Sequence, residues 1–218
     1  MRFKILPAPG NTQKAAISIL FVVFCGIGGL LSLRLYCDVA TVDSMKSGID
    51  SGEFVNRARE LVDADAAPAI LLTAAQGLDL SAPESVELAK SLTAVAARKA
   101  PARPLTWAFM AYLEAYPMGK LGEAGTSAIR RSFEVCGYCD EDLIKWRLEF
   151  VLSHWADIDE DLKLSAFESA DFLRWWHLEY DYLDALRASA EEAGIPFSEY
   201  QRKIRTPVRP NELPAAEP

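Results

Sequence analysis

The chain has 218 residues, half of them apolar, with 31 acidic against 23 basic side chains. Arg2, Lys4, Lys14 and Arg34 are the charges of residues 1–36, which leaves 19 basic and 31 acidic groups in the remainder, a net of -12. A body that acidic repels phosphate, which excludes nucleic acid as a partner and excludes lying flat on anionic lipid.

Residues 1–14, with Pro7, Pro9, Gly10 and Asn11, read as a short disordered tail. Residues 15–36 follow, AAISILFVVFCGIGGLLSLRLY, uncharged from Ala15 to Leu33. At about 1.5 Å per residue a helix of this length matches a hydrocarbon core of ~30 Å, so the stretch is predicted to be a single transmembrane helix. Basic residues precede it and Asp38, Asp43, Asp50 and Glu53 follow it. The positive-inside rule then puts the N-terminus in the cytoplasm and the rest across the membrane. A cleaved signal peptide is the alternative. Its apolar core would be shorter, and the nearest cleavage candidate, Asp38-Val39-Ala40, carries an ill-suited Asp. Within the span, Cys25, Gly28, Gly29 and Ser32 fall on one ridge where a second helix could approach, making a homodimer through the span possible; the rival is the ordinary abundance of Gly in membrane helices.

Residues 37–53 read as a juxtamembrane linker and 54–205 as a helical domain. Helices are predicted over 54–66, 69–78, 105–116, 124–135, 142–155, 161–177 and 178–193. Another starts from a Ser81 cap with Pro83 in its first turn and ends near Lys99. Its apolar stripe is read as Leu88, Leu92, Val95 and Ala96. Asp140 and Asp159 are expected caps, and the 142–155 helix, apolar on two sides, is expected between neighbours. Residues 206–218 hold Pro207, Pro210, Pro214 and Pro218 and read as a disordered tail. No stretch alternates long enough for a strand, so the domain is predicted all-α, built of consecutive helix hairpins.

Trp107 and Trp146 stand 39 residues apart in corresponding helices, a spacing that suggests a helical repeat. Trp107-x-x-Met110-Ala111, preceded by Pro101-Ala-Arg-Pro104, resembles the start of a tetratricopeptide repeat, with departures at Glu114 and in the long loop at 117–125. The resemblance implies an α-solenoid-like, tetratricopeptide-like domain that binds other proteins. The order of parts over 101–176, with two hairpins and a Trp-rich close, also resembles small single-pass accessory proteins of bacterial surface-polysaccharide assembly. It implies an inner-membrane protein with a periplasmic domain and other envelope proteins as partners.

Cys136-Gly-Tyr-Cys139 is the most chemical motif. In an oxidising compartment the pair is a disulfide candidate, either fixing the turn between two helices or left as two packed thiols. A thiol-disulfide oxidoreductase is the enzymatic alternative. Against it, Cys136 follows a helix and Cys139 precedes Asp140, Glu141 and Asp142, which disfavour a thiolate. A zinc site would need more ligands than His154 and His177 readily add, and each His lies among aromatics. Asp157, Asp159, Asp161 and Glu168 imitate a calcium loop, but Leu162 stands where that loop needs Gly. No metal and no cofactor is expected. Trp175, Trp176 and Tyr180 are the candidates for contact with a partner or a glycan: adjacent Trp residues on a helix diverge by about 100°, so one core is not expected to bury both. The competing and preferred reading has them packed against 178–193 or capping the repeat. The expected function is a membrane-anchored periplasmic adaptor for envelope assembly, with the oxidoreductase and a glycan-binding module as alternatives.

Overall fold

The computed structural model describes residues 51–64 and 66–205. The predicted membrane span, its ridge of Cys25, Gly28, Gly29 and Ser32, and both expected tails lie outside the described residues. No described helix is long and apolar enough to cross a membrane. The chain divides into a unit ending at Asn56 and a compact one from Arg57 onward. The described residues form nine α-helices and no strand: α1 (Ser51–Asp63), α2 (Pro68–Gly77), α3 (Pro83–Lys99), α4 (Pro104–Ala115), α5 (Glu123–Val135), α6 (Glu141–Ser153), α7 (Glu160–Phe172), α8 (Tyr180–Glu192) and α9 (Phe197–Arg205). The all-α prediction holds.

Helix starts are written plainly in this chain. α2, α3 and α4 each open on a proline, whose missing N–H is one the first turn does not need. α6 and α7 open on aspartate caps: Asp140 accepts from the Leu143 N–H at 2.8 Å and Asp159 from the Leu162 N–H at 3.0 Å. Ser81 does not cap α3. The cap position is Ala82, without a side-chain bond, and the Ser81 N–H instead donates to Asp79 Oδ1 at 3.0 Å. That local turn takes the hydroxyl residue out of the capping position.

Packing follows chain order. α2 pairs with α3, α4 with α5 and α6 with α7, while α3 also lies on α4 and α9 on α7. The buried face of α3 is Val86, Ala89, Leu92, Thr93, Ala96 and Ala97, whereas Leu88 and Val95 are half-buried. Leu92 and Ala96 of the predicted stripe are buried, and the face is completed by Val86, Ala89, Thr93 and Ala97 because α3 packs against both α2 and α4. α4 and α5 also meet closely. A Cβ on Gly125 would collide with the Leu121 side chain and crowd Glu114 Cβ at 3.3 Å. α6 buries Leu143, Ile144, Leu148, Phe150, Val151 and Leu152, as the two-sided pattern predicts.

Two further features differ from the sequence expectation. The helix foreseen over 161–177 changes hand-over at Phe172 into a π-helical turn, Leu173–His177, that ends on a left-handed Leu178 (φ 58°, ψ 30°). α9 was not foreseen. It is short and mostly polar, but Phe197 and Tyr200 enter the core, where their rings lie 4.8 and 5.3 Å from Phe167, and Tyr200 lies 4.8 Å from Trp155. Edge and tilted contacts of this kind add to area burial.

Candidate functional site

Three neighbouring places hold the residues with chemical potential. The first is an open groove of about 630 Å³. Gln76 from α2, Leu105 and Phe109 from α4, and Asp142 and Trp146 from α6 line it. Alternate helices, α2, α4 and α6, therefore contribute to one face, because each hairpin returns the next even-numbered helix to the same side. Arg103 brings positive charge to the rim, and Asp140 and Asp142 bring negative charge. An apolar floor with charges of both signs suits a polypeptide segment better than a small anion. The sequence singles out Pro104, Cys139, Asp140, Asp142 and Trp146 for other reasons, and nothing local says that they share a groove.

The second place is the turn between α5 and α6. Cys136 and Cys139 are free thiols here, with Cys139 Sγ 3.9 Å from the Cys136 carbonyl oxygen. Cys139 also lines the groove. Although the residue is exposed, partial desolvation of its thiol and the neighbouring Cys136 side chain push its pKa up to about 11. A nucleophilic cysteine needs the opposite shift. The turn is held by Arg147. Its side chain is 1% exposed and its Nη1 donates to the carbonyls of Cys136 at 2.9 Å and Gly137 at 3.4 Å. The guanidinium lies 4.9 Å from the Phe133 ring centroid, while Nε and Nη2 are buried without an acceptor. Desolvation lowers its pKa. The sequence signal for this residue was present: Arg147 sits among Leu143, Ile144, Leu148 and Val151, the apolar positions of its own helix.

The third place is a corner at the π-helical turn. Trp175 and Trp176 are 63% and 74% exposed, and Leu178 is 64% exposed. The packed or capping arrangement preferred for these indoles is therefore not what the fold contains. The π turn adds a residue to the helical repeat and ends on the left-handed Leu178, and both indoles stay exposed ahead of α8. The Trp175 Nε1–H donates to Asp171 Oδ2 at 3.0 Å. Asp171 Oδ1 accepts from Arg205 Nε and Nη2 at 3.0 and 2.6 Å. Trp176 stacks on Phe172 at 5.7 Å, and Phe172 in turn meets Tyr138 of the cysteine turn at 5.5 Å. Tyr180 joins the corner beneath Arg174, 5.4 Å away.

Polar contacts fasten the corner to α6. His177 Nδ1 lies 2.8 Å from Glu141 Oε2, and Lys145 bridges Glu141 at 2.6 Å and Glu179 at 3.2 Å. The hydrogen bond from Lys145 holds the Glu141 carboxyl below the usual carboxylate range, and the same bond raises Lys145. Burial and the Glu149 carboxylate, 2.9 Å from its hydroxyl, push the Tyr182 pKa far up. His154 is an aromatic neighbour of Phe150 at 4.6 Å. Asp157 Oδ2 accepts from the Leu121 N–H at 3.2 Å, and Asp159 pairs with Arg130 at 2.5 Å. These acids serve loops and caps, and among the described residues no group of three or more His, Cys, Asp or Glu is arranged to hold a metal ion.

The chain matches no family model, no curated protein and no solved structure.

Proposed function

We propose that this protein is a membrane-anchored adaptor. Residues 15–36 hold it in a bacterial inner membrane, and a periplasmic, tetratricopeptide-like helical domain carries a partner-binding groove. The observation that supports this reading is the groove itself. It is open and apolar-floored, and successive hairpins furnish it from one side with Leu105, Phe109 and Trp146. Such a surface fits a segment of another envelope protein, and the resemblance to polysaccharide-assembly accessories suggests which kind of assembly it joins. The raised Cys139 pKa counts against the oxidoreductase alternative.

The test compares the full chain with a Leu105→Arg, Phe109→Arg variant, both isolated from crosslinked membranes. Leu105 is exposed and Phe109 only half-buried, so the variant should keep its helix content by circular dichroism. It should lose a partner that the unaltered chain retains in fixed proportion. An unchanged partner set with both substitutions in place would sink the groove as the binding surface.

A further inference from the structure

We infer that the corner of Trp175, Trp176 and Leu178 is a second membrane contact, seated in the interfacial layer of the bilayer to which the chain is anchored. The inference rests on the anchoring of residues 15–36 proposed above. Three of four consecutive residues are large, apolar and mostly exposed, and the π turn and left-handed Leu178 hold them outward. Holding a non-glycine residue in that conformation costs stability, which points to a use for the geometry.

The chemistry favours a bilayer over a sugar. A sugar site surrounds its stacking ring with free donors and acceptors. Here the Trp175 N–H is already given to Asp171, and the other oxygen of Asp171 is taken by Arg205. Trp176 has one face on Phe172. Leu178 has no ring to stack and gains only by leaving water. Exposed Trp beside an aliphatic side chain is the composition that membrane–water interfaces collect.

Chain length makes a small contact sufficient. Residues 37–50 stand between the proposed span and α1. Fully extended they reach at most about 50 Å, comparable with the size of the domain itself. A tether that short gives an effective concentration of order mM, so a corner of three side chains is occupied without binding free bilayer tightly. The net negative charge of the domain argues for contact at this corner alone, not for a face laid along lipid.

The experiment uses the full chain reconstituted in phosphatidylcholine bilayers, with and without lipid brominated near the head of its acyl chains. Flotation reports the anchor, and quenching of tryptophan emission by bromine reports the corner. The expected result is that the unaltered chain floats and is quenched, while Trp175→Phe, Trp176→Phe floats equally and loses the quenching. Trp107→Phe should keep it. A chain that floats without quenching overturns the corner contact and leaves the anchor standing. A chain that fails to float overturns both. Quenching that is absent in bilayers, with emission that shifts on adding soluble oligosaccharide, overturns the bilayer in favour of a glycan.

Discussion

Replacing Arg147 separates two contributions that its burial combines. The charged bond from Nη1 to the Cys136 carbonyl at 2.9 Å is worth about 1.5–3 kcal/mol, and the 3.4 Å contact to Gly137 adds little. Against this, Nε and Nη2 are buried without acceptors, at about 1–3 kcal/mol each. Together the two orphaned donors cost about 2–6 kcal/mol, so the polar terms give little or no net stabilisation. Arg147→Met keeps most of the stem volume and should change stability by less than about 1.5 kcal/mol, in the way buried ionic groups are often replaceable by apolar ones. Arg147→Ala removes the same polar terms and also empties a site only 1% exposed. Large-to-small changes in such sites cost about 2–5 kcal/mol, so the alanine variant should lie at least about 1.5 kcal/mol below the methionine one. Urea unfolding of the full chain in detergent, followed by tryptophan emission at matched slopes, measures the difference. Equal losses in the two variants would refute the reasoning, because they would make the carbonyl bonds, not the packed stem, the dominant contribution.

Three further outcomes are expected. The Glu141 and Glu160 carboxyls are held below their ordinary 4.5, chiefly by hydrogen bonds from Lys145 and Tyr200 respectively. Their contribution is complete above that value and is lost as pH falls through the lowered folded values; thermal unfolding from about pH 5 to 3 should show the loss, and Glu141→Gln with Glu160→Gln should flatten it. With its pKa near 11, against 9.0 ordinarily, Cys139 should have a thiolate population about 100-fold below that of a free cysteine at pH 7. Iodoacetamide labelling of the reduced protein, read by mass spectrometry, should be slow at neutral pH and rise steeply past pH 9; fast neutral labelling would contradict the assignment. If the Gly28, Gly29 ridge pairs two spans, Cys37 of each copy meets at the outer end. Non-reducing gels of membranes should then show a dimer that Cys37→Ala abolishes and Gly29→Leu weakens, and a dimer indifferent to Gly29→Leu would assign the ridge no role.

Most helix positions were legible because their starts carry strong local chemistry. Pro83 and Pro104, and the Asp140 and Asp159 caps, act within one turn of themselves and need no tertiary knowledge. What was not legible depends on partners distant in sequence. Ser81 is a good cap by type, yet Asp79 competes for its backbone. α9 has too few apolar residues to announce itself and exists because Phe167 and Trp155 accept Phe197 and Tyr200. That adjacent Trp residues diverge was legible, but the π turn within which both Trp175 and Trp176 stay exposed is not revealed by periodicity over 161–177. The groove is likewise a product of hairpin succession: Leu105 only opens its predicted helix and Trp146 reads locally as part of an apolar face, and the return of α4 and α6 to one side brings them to a common surface.

The central claim is that this surface is where a partner sits. Photocrosslinking amino acids placed at Leu105 and at Phe109 in the full chain in cells test it most directly, with Glu192 on the exposed end of α8 as the reference position. The account predicts one discrete adduct of the same mass from both groove positions, absent from Glu192 and lost when Trp146→Ala reshapes the groove. No adduct from the groove, or the same adducts from Glu192, would contradict it.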